Sequence, residues 1–127
     1  MSSEELLQAA SDVATKAYAP YSKAQVGCAL ISATGHLYTG CNVENASYGL
    51  TICAERNAIF AGVAAEGPAF RIQRLAVIAL GLEFPPCGAC RQVIAEFASP
   101  DTPVTFLQNK QAAVLTLEQL LPARFSF

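Results

Sequence analysis

The sequence predicts an α/β domain, a three-layer α/β/α sandwich with a central mixed five-stranded sheet. Three observations predict it. The element order is a helix, a hairpin, then alternating helices and strands. Two apolar runs, Val26–Ile31 and Leu75–Leu80, are compact enough to be buried strands. No repeat, low-complexity tract or linker interrupts the 127 residues, so one domain spanning 1–127 with one core is expected.

The elements follow in order. Ser2 and Glu5 have capping-box spacing, and Leu6, Leu7, Ala10, Val13, Ala14 and Ala17 recur at helical spacing, so a first helix is predicted to about Tyr18. Ala19-Pro20-Tyr21-Ser22 breaks it. Val26–Ile31 and 36–43 read as the arms of a hairpin turning at Ala33-Thr34-Gly35. After a loop over 44–50, a helix is predicted from about Cys53 to Glu66, where Gly67-Pro68 stops it. Leu75–Leu80 is a strand apolar on both faces, and a second interior helix runs from about Cys87 to Phe97. Val104–Leu107, a turn at Asn109-Lys110 and Ala113–Leu115 make the last two strands. Thr116 caps a brief helix over 117–121, and the tail Arg124-Phe125-Ser126-Phe127 carries two aromatics.

Composition narrows the function classes. Hydrophobic residues make up 53% and charged residues 14%, where about 25% charged is usual. That apolar excess in a small domain points to burial between subunits of a homo-oligomer. The net charge of −2, with signs interspersed, provides no basic stripe and argues against nucleic-acid partners. No apolar run reaches the roughly 18 residues of a membrane span, and the acidic start Met1-Ser2-Ser3-Glu4-Glu5 is unlike a signal peptide. A cytoplasmic home follows, where five cysteines suggest metal binding or catalysis rather than disulfides.

The chemistry concentrates in Cys53-Ala54-Glu55-Arg56 and Pro86-Cys87-Gly88-Ala89-Cys90. Cysteines at i and i+3 share one helix face, so Cys87 and Cys90 can bind one ion together. Thiolates at a helix N-terminus are favoured by exposed N–H groups and the helix dipole. If the two helix starts lie side by side, Cys53 joins them in a three-sulfur zinc site, with a fourth position left for water. Inside a helix, Cys53 and Glu55 would face different sides. Both can face the zinc only if Cys53 is the cap. Glu55 is then placed to move protons. Zinc with three thiolates carries a net charge of −1, and an arginine donating to the sulfurs would withdraw charge. Arg56 is favoured for that role; Arg91 is equally readable as a surface residue.

Taken together, Cys-Ala-Glu-Arg followed by Pro-Cys-Gly-Ala-Cys resembles the zinc nucleoside deaminases, specifically the small homotetrameric cytidine deaminases. Tyr18-Ala19-Pro20-Tyr21-Ser22, the block from Gly40 to Tyr48, and Leu120-Leu121-Pro122 through Phe125 extend the likeness over nearly the whole chain. The resemblance implies one zinc per chain on Cys53, Cys87 and Cys90, and a nucleoside substrate. It implies hydrolytic attack at C4 of cytosine, with Glu55 protonating N3 and then the departing ammonia. Asn42 and Glu44, i and i+2 on an extended segment, point the same way and suit ribose hydroxyls. The family also implies that the backbone at Ala54 receives the base edge. Ala46 and Tyr48 lie near the sugar, and Phe125 stacks on the pyrimidine from a neighbouring subunit of a homotetramer. One departure stands out. Similar proteins usually carry an aromatic after Tyr21-Ser22-Lys23; this chain has Ala24. One wall of the base pocket is then missing or supplied from elsewhere.

Rival readings weigh the same cysteines differently. A structural zinc knot needs a fourth ligand. Among the candidates, Cys28 and Cys41 read as buried strand residues and His36 as a surface residue. A thiol-redox pair would use Cys87 and Cys90 but leaves Cys53, Glu55 and the Asn42–Glu44 block unexplained. A deaminase of another cytosine-bearing nucleoside, such as a nucleoside antibiotic, also fits the motifs.

Overall fold

Five strands cover Val26–Ser32 (β1), Leu37–Cys41 (β2), Ile72–Ala79 (β3), Pro103–Gln108 (β4) and Gln111–Thr116 (β5). Four helices cover Ser3–Ala14 (α1), Ala54–Glu66 (α2), Gly88–Phe97 (α3) and Leu117–Leu120 (α4). This computed structural model describes residues 1–127. The strands form one mixed sheet in the order β2-β1-β3-β4-β5. Only β3 and β4 pair in parallel, and α3 makes the crossover that a parallel pair requires.

Strand β1 alternates between two cores. Ala29 and Ile31 join Ala76 of β3 against Leu6, Leu7 and Ala10 of α1. Cys28 and Leu30 face the other way, into a larger core with Ala58 and Ile59 of α2, Ile94 of α3, Val104 of β4 and Leu117 of α4. Three layers result, with α1 alone on one face and α2, α3 and α4 on the other. Two glycines set the spacing. A Cβ on Gly27 would collide with the Ala10 carbonyl of α1, and one on Gly40 with the backbone of α2 at Ala58. Only a bare backbone lets a helix settle so close to each face.

The ends of elements depart from expectation where tertiary contacts compete. Helix α1 is closed by the predicted capping box, with Ser2 Oγ accepting from Glu5 N–H at 3.1 Å and Glu5 accepting from Ser2 N–H at 3.1 Å. It ends at Ala14 rather than Tyr18. The Thr15 hydroxyl donates to the Asp12 carbonyl at 2.7 Å, and Tyr18 N–H donates instead to the Asn42 carbonyl at 3.0 Å. Strand β2 stops at Cys41, short of Val43, because Val43 pairs with Tyr18 and Ile52. Strand β3 begins at Ile72, three residues early, because Ile72 pairs with Ser32 across a bulge in β1. Asn109 and Lys110 both take positive φ, 53° and 62°, and close the β4–β5 turn as expected.

Topology decides where the functional elements meet. Strands β2 and β3 flank β1, and each runs antiparallel to it. They therefore run in the same direction, and the chain leaves both at the same edge of the sheet. The segment after β2 leads into α2 and the segment after β3 into α3, so both helices can present their N-termini at one end. In open α/β sheets, ligands bind outside the carboxyl ends of strands.

Candidate metal centre

Cys53 and Cys87 are both helix N-caps with extended backbones, at φ −72°, ψ 157° and φ −67°, ψ 167°. A cap need not be helical, so Cys53 turns toward the same space as Glu55, as the i, i+2 spacing demanded. Cys87 Sγ accepts from Cys90 N–H at 3.4 Å, occupying one of the free N–H groups of α3. Cys53 Sγ and Cys87 Sγ lie 4.0 Å apart, and the ligand sulfurs of Cys53, Cys87 and Cys90 all fall within 4.8 Å of one another.

Arg56, one turn into α2, donates from Nη2 to Cys53 Sγ at 3.3 Å. Cys53 is correspondingly acidic. A hydrogen bond from Cys90 first, then the Arg56 guanidinium, bring its thiol down to about 5, so it is a thiolate at neutral pH. The bond to that thiolate, then burial, hold the Cys90 proton in place. This sulfur set fits a zinc ion. Soft donors converge, one is already ionised, and a metal ion would displace the remaining protons. Arg56 Nε is buried without a partner, leaving a further N–H on the guanidinium that already serves Cys53. A guanidinium with an N–H to spare suits a sulfur cluster that gains negative charge as its thiols ionise.

Glu55 is 4% exposed yet lines a cavity of about 420 Å³ with Cys53, Cys87 and Ala54. Burial first, then the neighbouring Cys53 charge, raise its carboxyl above the ordinary range. Val26, Asn42, Thr51, Phe84 and Pro85 complete the lining. The volume is that of a small-ligand pocket, mostly apolar with a few placed polar groups.

Asn42 and Glu44 are separated more than the strand alternation implied. Asn42 lines the cavity, with Oδ1 accepting from Val26 N–H at 2.8 Å and Nδ2 donating to the Ala24 carbonyl at 2.8 Å. One amide hydrogen and one lone pair remain for a ligand. Glu44 lines the adjoining hollow with Tyr21, Ser22 and Tyr48, and only Thr51 borders both spaces. Oε1 of Glu44 accepts from Tyr21 N–H at 3.0 Å and Ser22 N–H at 3.1 Å, and the Ser22 hydroxyl donates to Oε2. These bonds hold its carboxyl below the usual range, so Glu44 is ionised.

Ala46, Tyr48 and Phe125 lie outside the catalytic cavity of their own chain. Tyr48 is 78% exposed and Phe125 is 68% exposed. Phe125 packs edge-on against Phe127, with centroids 5.3 Å apart, over a groove bordered by Gln92 and Glu96 of α3. Arg91 is neither a surface bystander nor a sulfur donor. Its guanidinium donates to the Pro86 carbonyl at 2.7 Å and the Leu120 carbonyl at 2.8 Å, tying the residue before Cys87 to the end of α4. Cys28 is fully buried, Cys41 half-buried, and neither joins the sulfur cluster. His36 is exposed. Sequence reasoning did not name Phe84, Thr51 or Val26 as lining residues. For Phe84, the available signal was its place two residues before Pro86-Cys87, on the loop leaving β3.

A family model described as the cytidine and deoxycytidylate deaminase zinc-binding region matches residues 1–106. The chain belongs to that family. It is 45% identical to a cytidine deaminase of Sporosarcina psychrophila over 130 residues, covering 99% of this chain and 93% of the relative. It is 43% identical to a cytidine deaminase of Halalkalibacterium halodurans over 128 residues, covering 99% and 96%. The crystal structure of cytidine deaminase from Burkholderia pseudomallei superposes with a TM-score of 0.89 at 42% identity, covering 98% of this chain and all of that one. That from Mycobacterium tuberculosis superposes at 0.87 and 36% identity, covering 100% and 99%. Family membership accounts for the three-cysteine set as a zinc site. No helix is long and apolar enough to cross a membrane.

Proposed function

We propose that residues 1–127 act as one catalytic domain that hydrolytically deaminates cytidine and 2′-deoxycytidine, or a substituted cytidine, to the uridine product and ammonia. The observation that carries this reading is the placement of Glu55, a nearly buried carboxylate that nonetheless lines the cavity beside the three cysteines. Cys53, Cys87 and Cys90 hold the zinc. When bound, zinc supplies a Lewis acid that makes water a competent nucleophile at neutral pH. Glu55 takes a proton from the attacking water and delivers it to ring N3 as C4 becomes tetrahedral; it then takes the proton of the new C4 hydroxyl and hands it to the amino group, which leaves as ammonia as the C4–N bond breaks and the C4 carbonyl forms. Arg56 stabilises the ionised sulfurs. Asn42 and Glu44 receive the ribose hydroxyls, and the backbone at Ala54 receives the base edge.

The active form in this reading is a homotetramer whose neighbouring subunits contribute Ala46, Tyr48 and Phe125 to each site. Support comes from exposed apolar side chains that a lone chain leaves uncovered, including Leu50 at 63% and Phe60 at 49%. A cytoplasmic home suits five cysteines that form no disulfide. The deciding experiment compares wild type with Glu55→Gln, measuring bound zinc and the absorbance change on cytidine. One zinc per chain in both proteins, with turnover lost only in Glu55→Gln, is expected. Undiminished turnover in the variant would overturn the role of Glu55. Turnover of free cytosine but of no cytosine nucleoside would overturn the substrate class.

A further inference from the structure

Phe84 is the one aromatic side chain among the residues lining the catalytic cavity. It is 40% exposed, so its ring sits at the mouth rather than in the core. Its backbone is nonetheless held on both sides. Upstream, Gly81 turns at φ 77° and Leu82 N–H donates to the Ala79 carbonyl at 3.3 Å, keeping the loop against the end of β3. Glu83 Oε2 accepts from Lys110 N–H at 2.6 Å, which ties the next residue to the β4–β5 turn. Downstream, Pro85 and Pro86 fix two successive φ angles, and Pro86 is buried with its carbonyl held by Arg91 Nε. A residue before proline is itself confined to extended backbone. A large apolar ring is thus presented to the cavity from a short segment anchored at each end.

The rest of the lining offers no comparable surface. Val26 is among the lining residues, and Ala24, two positions before it, has only a methyl group, its carbonyl being taken by Asn42 Nδ2. A heteroaromatic base needs a flat apolar face more than it needs further hydrogen bonds, because every base has a π-face to cover. We propose that Phe84 is a substrate-binding residue that forms an apolar wall against the pyrimidine ring, the only aromatic surface this chain's own lining offers the base where position 24 carries only a methyl group. The inference rests on the reading that this cavity receives the cytosine base. It predicts selection by the ring face and not by the sugar.

Binding separates the two claims. Cytidine and deoxycytidine are titrated into zinc-loaded Glu55→Gln protein by calorimetry, which removes turnover from the measurement. Failure of Glu55→Gln to bind either nucleoside would overturn the cavity assignment and this inference with it. Given binding, adding Phe84→Ala should raise the Kd for both nucleosides about tenfold, within the range of one base–aromatic contact, and leave their ratio unchanged. Phe84→Tyr should restore binding and Phe84→Leu should not. That pair decides the matter even if the alanine variant fails to fold, since both replacements keep the bulk. Equal binding by the Leu and Tyr variants would reduce Phe84 to a filler and overturn the proposal. So would a change in oligomeric state with per-site Kd unaltered, which would make Phe84 an interface residue. In otherwise wild-type enzyme, KM should rise with kcat largely kept, as expected when an interaction is equal in ground and transition states.

Discussion

Helix α2 carries a carboxylate at each end, and the fold treats the two in opposite ways. Glu66, at the C-terminal end, is tied down through one oxygen. Its Oε2 accepts hydrogen bonds from the hydroxyls of Ser32 at 2.7 Å, Thr34 at 2.8 Å and Tyr38 at 2.8 Å, with His36 Nδ1 at 3.7 Å. The Ser32 hydroxyl, then those of Thr34 and Tyr38, hold its carboxyl below the ordinary range. Glu55, in the first turn, is more deeply buried and has no hydroxyl donor, so burial raises its carboxyl instead. Glu66 locks the β1–β2 hairpin to the helix end and lines no cavity. Glu55 is left without a hydroxyl donor next to a cavity, its carboxyl raised by burial, which is how a carboxylate is kept ready to exchange protons. The difference is one between a carboxylate placed for stability and one placed for chemistry.

The largest expected break in that comparison is Glu55→Gln. Loss of a positioned acid–base group should lower kcat on cytidine by about 10²- to 10⁴-fold with zinc content intact. The same substitution should raise the melting temperature of the metal-free protein, because it removes a buried, poorly paired charge; a fall in melting temperature would show that Glu55 is structural after all. Arg56→Gln comes next. It removes the guanidinium from Cys53, and zinc affinity measured by competition with a chelator should fall about 10- to 100-fold.

Glu66→Gln should do the reverse of Glu55→Gln, lowering the melting temperature by a few degrees while kcat on cytidine stays close to wild type. The sign with pH follows from its depressed carboxyl. The stabilisation is fully present above the unfolded-state value of about 4.3 and fades as pH falls through the lower folded-state value. The gap in melting temperature between wild type and Glu66→Gln should therefore close on acidification below about pH 4, and a gap constant down to pH 3 would contradict the assignment. Smallest is Tyr38→Phe, which removes one of three donors to Glu66. Its melting temperature should lie between wild type and Glu66→Gln.

Legibility in the sequence tracked how local each signal was. The caps at Cys53 and Cys87, the capping box at Ser2 and the turn at Asn109-Lys110 depend on a few consecutive residues, and the structure has them as expected. The end of α1 was misplaced because Tyr18 bonds to Asn42, a partner 24 positions away in the chain whose pull no helical periodicity reveals. Arg91 was readable equally as a surface residue or a sulfur donor, and is neither, because its acceptors are backbone carbonyls of Pro86 and Leu120, and carbonyls have no identity in a sequence. Phe84 was overlooked for a similar reason. Its loop reads as a connection, and only the folded chain turns its ring to the cavity.

The sequence by itself determined the donor chemistry of the centre: three thiols, two of them one helical turn apart, and a carboxylate that must follow a capping cysteine. Those constraints are set by helix geometry and hold wherever the helices go. Only the tertiary structure decided that the sulfurs meet. Strands β2 and β3 both run antiparallel to β1, so their exits lie at one edge and bring Cys53 Sγ to 4.0 Å from Cys87 Sγ. It also decided which acid is reactive. Glu55 and Glu66 are the same residue type on one helix, and what separates them is a set of hydroxyls brought by the hairpin to one end and withheld from the other.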